Sequence, residues 1–209
     1  MGLYTIKQAG IYELVIEKSR FICHIERLES REQAYEFIKK IKKEYWDATH
    51  NCAAFIIGEN ADIQGSSDDG EPSGTAGIPM LEVLKKQQLH DVGVVVTRYF
   101  GGIKLGAGGL VRAYAKSVSG AIQQVGIVEK VAVVEYSFSV PLAECGRILN
   151  CLYQQDSFQV KTVEYNELAK FIIAFFPEVF SHVEAILTEI LQARVEMSLE
   201  AKSYMEREI

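Results

Sequence analysis

Apolar positions along the first half of the chain change period several times. In SRFICHIER, Phe21, Cys23 and Ile25 alternate with other residues, the period of two expected of a strand. The segment before it, YELVIEKS, alternates in the same way. SREQAYEFIKKIKKEY then switches to a helical period. Ala34, Phe37, Ile38, Ile41 and Tyr45 form one apolar stripe, and Ser30 with Gln33 has the spacing of a capping box. Lys39, Lys40, Lys42 and Lys43 fall outside that stripe and are expected on a solvated face. NCAAFIIG predicts a strand, MLEVLKKQQ a helix, and the unbroken valines of DVGVVVTRYF a strand buried on both faces. LVRAYAKSVSGAIQQVG predicts a third helix. Its inner face carries Leu110, Tyr114, Val118, Ala121, Ile122 and Val125, and its outer face Arg112, Lys116, Ser119 and Gln123.

The second half has a plainer rhythm. VAVVEYSFSV reads as a strand, PLAECGRILNCLYQQ as a helix opened by Pro141, and FQVKTVEY and LAKFIIAFF as strands around a turn at Asn166. PEVFSHVEAILTEILQ is a further helix and VEMSLEAKSYM a closing strand. The order is βαββαβ, so the pattern predicts an α+β chain of two domains, residues 1–130 and 131–209, joined near 127–134 without a flexible linker.

Charge adds one feature. The chain of 209 residues carries a net −6, all of it in the second half: residues 1–134 hold 16 basic and 16 acidic side chains, and residues 135–209 hold 6 and 12. Within the balanced half the signs are sorted. Glu44 to Leu84 contains no Lys or Arg, whereas Val92 to Val128 contains Arg98, Lys104, Arg112 and Lys116 and no acid. The molecule is no polycation, but one passage of it is a local basic surface. No apolar run reaches the roughly 20 residues of a membrane span, no signal peptide opens the chain, and the four cysteines form no CxxC pair, so a cytoplasmic protein with reduced thiols is expected.

Three passages carry candidate chemistry. TRYFGGIKLGAGGLVRAY is glycine-rich, but it fails the P-loop pattern because Ala107 and Gly108 stand where Lys and Ser/Thr belong. It also fails the dinucleotide pattern, because Val111 occupies the third glycine position. Two readings remain: Gly101, Gly102, Gly106, Gly108 and Gly109 permit close packing, or they uncover the amides of a helix start beside Arg98, Lys104, Arg112 and Lys116, an anion-binding surface.

The second passage, SSDDGEPSGTAGIP, clusters Asp68, Asp69 and Glu71 with Ser73 and Thr75. Its acids are candidates to pair with the basic passage, to recognise a partner, to hold a hard cation or to act as acid and base. They do not match a calcium loop, and no metal or cofactor is assigned. The third passage, THNCAAF, places His50 and Cys52 on one side of a strand, which fits either a Cys–His pair or a packed strand end. His24, His90 and His182 are isolated in the sequence and are expected to be structural or exposed.

Together, ATHNCAAF, DDGEPSGTAGIP and VVVTRYFGGIKLGAGGLVRAY resemble the IMPACT/YigZ family, strongly over about the first 130 residues. The βαββαβ tail looks like the additional C-terminal domain of its bacterial members. The resemblance implies a first domain similar to domain IV of elongation factor G (a ribosomal protein domain-2-like sheet with helices). It implies a second that is a ferredoxin-like sandwich, similar to domain V of that factor. It also implies association with RNA or the ribosome, since those domains of the elongation factor work against ribosomal RNA, and the eukaryotic IMPACT proteins are translation regulators. The expected function is a non-catalytic, translation-associated regulator that binds RNA, the ribosome or a regulatory protein through Arg98, Lys104, Arg112 and Lys116 and their glycines. Two alternatives stand beside it. One is an enzyme between the two loops, with Asp69 or Glu71 as base or metal ligand, His50 as proton carrier and Arg98 or Lys104 as anchor. The other is a module whose protein partner meets Asp68, Asp69, Glu71, Ser73 and Thr75.

Overall fold

The computed structural model describes residues 2–209. The chain divides into two compact units, Met1–Lys130 with Arg207–Ile209, and Val131–Glu206.

In the first unit the strands β2 (Gly10–Ile16), β3 (Ser19–Arg27), β4 (His50–Ile57), β5 (Ile63–Ser67) and β6 (Val92–Tyr99) form one antiparallel sheet in the order β2-β3-β6-β4-β5. Three helices cover it: α1 (Arg31–Glu44) on one face, and α2 (Gly77–Lys86) and α3 (Gly106–Val125) on the other. Alternation along β4 explains why its run is apolar throughout. Ala53, Phe55 and Ile57 pack with Phe37 and Ile41 of α1, while Cys52, Ala54 and Ile56 pack with Met80 of α2 and Tyr114 of α3. The short strand β1 (Leu3–Ile6) pairs antiparallel with Ile127–Lys130, the opening of β7 (Ile127–Pro141).

The first unit departs from the sequence reading in strand β1, in strand β5 and at the start of α3. Strand β5 was not anticipated: it is an edge strand with polar residues and carries too few apolar side chains to show a period. Helix α3 begins at Gly106 rather than at Leu110, so Gly106, Gly108 and Gly109 belong to its first turn instead of a preceding loop.

The second unit follows the order β7, α4 (Cys145–Leu152), β8 (Gln159–Tyr165), β9 (Leu168–Phe175), α5 (Phe180–Leu191), β10 (Ser198–Glu208), with strands arranged β10-β7-β9-β8. Phe138 of β7 stacks on Phe171 of β9 at 5.3 Å, and Ile148, Leu152, Val183 and Leu187 of the helices close over them. Both helices are preceded by a short 3-10 turn, Leu142–Glu144 and Pro177–Val179, so Pro141 ends the strand instead of opening the helix. The whole is a mixed α/β chain of two sheets.

Candidate functional site

The register of β3, β6 and β4 sets up the site. Arg98 on β6 lies opposite Phe21 on one side and His50 on the other. The acidic loop then lays Glu71 over this row. Arg98 Nη1 donates to Glu71 Oε1 at 2.6 Å, and the Tyr114 hydroxyl donates to the same oxygen at 2.8 Å. Both partners of the ion pair are almost fully buried, with side chains 6% and 3% exposed. The guanidinium also lies 5.3 Å from the Phe21 ring and 5.6 Å from the Phe100 ring. Arg98 Nη2 reaches the Ser19 hydroxyl at 3.5 Å, while its Nε is buried without a partner.

His50 stands beside this pair. The Asp69 carbonyl can only accept, so the 2.8 Å contact with His50 Nδ1 places the ring hydrogen there. Nε2 is left facing Glu71 Oε2 at 3.8 Å. Cys52 does share the face of His50, but its thiol donates to the Asp68 carbonyl at 3.0 Å and lies 3.4 Å from the Tyr114 hydroxyl. Burial pushes that thiol up to about 12, with Glu71, Asp69 and Asp68 adding in the same direction. Near neutral pH it is a packed, protonated thiol and not the thiolate a nucleophile requires. Burial likewise pushes the Tyr114 hydroxyl far up, so it remains a donor.

The acids of the loop are each engaged differently. Asp68 accepts from the backbone amides of Gly74 at 2.8 Å, Ala76 at 3.1 Å and Gly77 at 2.8 Å, and so caps α2 from outside the helix, where Ala76 supplies no side-chain cap. Burial alone raises its pKa, but the three amides outweigh burial and hold the carboxyl below its ordinary value. A depressed folded pKa means a stabilisation present above the unfolded value and lost as pH falls through the folded one. Asp68→Asn is therefore expected to cost about 1.5–3 kcal/mol at neutral pH. In urea titrations the gap from the parent should close in acid; a pH-independent gap would contradict this.

Asp69, held at φ +45°, accepts from Lys42 Nζ at 2.5 Å and from the Asn51 amide at 2.6 Å. Lys42 was expected only on a solvated face, and the structure corrects that: it clamps the loop. Thr75 is buried with its hydroxyl on the Pro72 carbonyl at 2.6 Å, and Ser73 is exposed.

The basic passage divides. Arg98 was expected on an exposed phosphate-binding surface, but it is buried and neutralised by Glu71, because its strand position points it into the α2/α3 face. Lys104, Arg112 and Lys116 are exposed, and among the described residues no ion pair involves them. The expected pairing of acidic with basic loop is thus realised at one contact only. Arg112 lies back along α3: a Cβ placed on Gly108 would meet its Nη1 at 3.5 Å. The glycines also divide. Gly102 and Gly106 hold left-handed φ values of +85° and +68° with open space around them, whereas Gly101 lies directly against the backbone of Lys18 and Ser19.

A cavity of about 370 Å³ opens where the three passages meet. It is lined by His50, Glu71, Arg98, Phe100, Lys104 and the first residues of α3, among others. Tyr114, Ser19 and Lys42 contribute to this region and were not singled out as site residues. The one sequence signal for Tyr114 was a hydroxyl on a wholly apolar helix face, which needs a buried partner. Asp68 and Asp69, and the outward Arg112 and Lys116, do not line the cavity.

This is a two-unit α/β protein whose first unit gathers three motif passages around one buried ion pair. The model of the Impact N-terminal domain matches residues 17–122, and the chain belongs to the IMPACT family. It is 47% identical over 206 residues to the IMPACT family member YvyE of Bacillus subtilis (strain 168), a match covering 99% of this chain and 94% of the relative. It is 40% identical over 152 residues to the IMPACT family member YigZ of Escherichia coli (strain K12), covering 66% and 74%. A crystal structure described only as that of a hypothetical protein is similar over 96% of this chain and 98% of its own, at 30% identity and a TM-score of 0.60.

Proposed function

We propose that this chain is a non-catalytic, translation-associated regulator that meets RNA, alone or on the ribosome, through the start of α3. In this reading the first unit is a module like domain IV of elongation factor G and the second is ferredoxin-like, as the family resemblance implies. The observation that carries it is a contrast between two helix starts. The amides at the start of α2 are filled by the chain's own Asp68. Helix α3 has no side-chain cap and no acid in its first turn, its residues Gly106, Ala107 and Gly108 are exposed, and Lys104, Arg112 and Lys116 stand by it unpaired. Helix dipole and cations together favour a phosphate backbone. The catalytic alternative is less supported: Asp69 is held by Lys42 and Asn51, and the Cys52 thiol stays protonated.

With Arg98 buried, three phosphate contacts remain. Affinity for single-stranded RNA should fall with salt at a log–log slope of roughly −2, or about fifteen-fold between 50 and 200 mM. Filter binding across a salt series tests this. Lys104→Ala with Arg112→Ala and Lys116→Ala should flatten the slope towards zero, and an unchanged slope would refute the reading.

A further inference from the structure

The cavity beside the buried pair is lined by two chemically distinct groups, of which the RNA reading uses only the α3 start with Lys104. In the other group Glu71, 7% exposed as a residue, spends only Oε1 on Arg98 and Tyr114. Among the described residues no hydrogen bond reaches its Oε2, whose neighbour is His50 Nε2 at 3.8 Å. Nδ1 carries one ring hydrogen, so in the neutral ring Nε2 presents a lone pair, and two acceptors then face each other across a gap too long for a direct hydrogen bond. One amino group seated between them could donate to both, and a hydroxyl, with its single hydrogen, to one of them. The α3 group consists of the Lys104 ammonium and the uncapped amides opening the helix. Phe100, Leu105 and Leu110 add apolar lining. The volume, about 370 Å³, falls within the range of ligand pockets.

We propose that this cavity binds a small hydroxylated organic anion, its phosphate or carboxylate on Lys104 and the α3 amides, its hydroxyls donating to Glu71 Oε2 and to His50 Nε2. Arg98 and Tyr114 are positioning residues, holding Glu71 so that its second oxygen stays turned to the cavity. The site shares Lys104 and the α3 amides with the RNA surface, whereas Arg112 and Lys116 do not line it.

Calorimetric titration of the full chain with matched probes tests it. Glycerol 3-phosphate, or glycerate as the carboxylate counterpart, is expected to bind at millimolar concentrations or below. Propyl phosphate, which lacks the donor, and glycerol, which lacks the anion, should bind at least tenfold more weakly. Ala107→Phe, at an exposed position among the cavity-lining residues, should abolish binding while circular dichroism stays as in the parent. Lys104→Ala should weaken binding at least tenfold. Absence of binding by both hydroxylated anions, equal binding of propyl phosphate, or undiminished binding by the Ala107→Phe protein would each overturn the proposal.

Discussion

Arg98→Met is expected to destabilise the first unit by about 3–5 kcal/mol, among the largest effects of any single substitution in the chain. The loss is not that of one contact. Removing the guanidinium leaves the Glu71 carboxylate, 3% exposed, with only the Tyr114 hydroxyl to satisfy it. A buried charge without its counterion is far costlier than the intact pair is stabilising. Glu71→Leu should be similarly damaging, because it strands the cation between Phe21 and Phe100. The double variant, with no ion left to bury, should cost less than either single one. Its remaining deficit comes largely from the orphaned Tyr114 hydroxyl, about 1–3 kcal/mol. Urea denaturation of the four proteins closes the cycle. Additive losses, or an Arg98→Met loss below about 1 kcal/mol, would show that the pair is not the keystone of the site.

Gly101→Ala should be nearly as severe, at about 3 kcal/mol or more, the upper part of the range for overpacking. A Cβ at this position would stand 2.1 Å from the carbonyl carbon of Lys18 and 2.4 Å from the amide nitrogen of Ser19. These atoms belong to backbone at the β2–β3 turn, where Glu17 and Lys18 already hold φ values of +46° and +63°, so no side chain can swing aside. The amide of Gly101 also donates to the Ser19 hydroxyl at 3.1 Å, and displacement would break this tie. Gly108→Ala supplies the internal contrast. It sits inside α3, and its nearest obstacle is the flexible end of Arg112 at 3.5 Å. Ala there should raise stability by roughly 0.5–1 kcal/mol. Denaturation curves moving in the same direction for both variants would contradict this division of the glycines.

These glycines show where a sequence can and cannot be read. Gly101 and Gly108 look alike in one dimension, and only the approach of the β2–β3 turn, more than eighty residues earlier in the chain, separates their roles. The buried strand β6 and the amphipathic helices α1 and α3 were legible because period and burial are local properties of the chain. Edge strand β5 was not, since its polar residues carry no period. The shared side of His50 and Cys52 followed from strand alternation alone. Whether that side held a reactive thiol did not, because the answer depends on Asp68 and Tyr114 closing over the sulfur. Arg98 was misplaced for a related reason. A cation ending a valine strand reads as exposed until its partner, 27 residues back, is seen beside it.

The proposed contact between RNA and the start of α3 is open to a direct test. Ultraviolet crosslinking of the full chain to ribosomal RNA, with mass-spectrometric mapping of the attached peptides, tests it most directly. Crosslinks are expected to concentrate between Phe100 and Lys116 and to be lost when Lys104, Arg112 and Lys116 are replaced by Ala. Crosslinks confined to other surfaces, or none above those of an unrelated acidic protein, would contradict it.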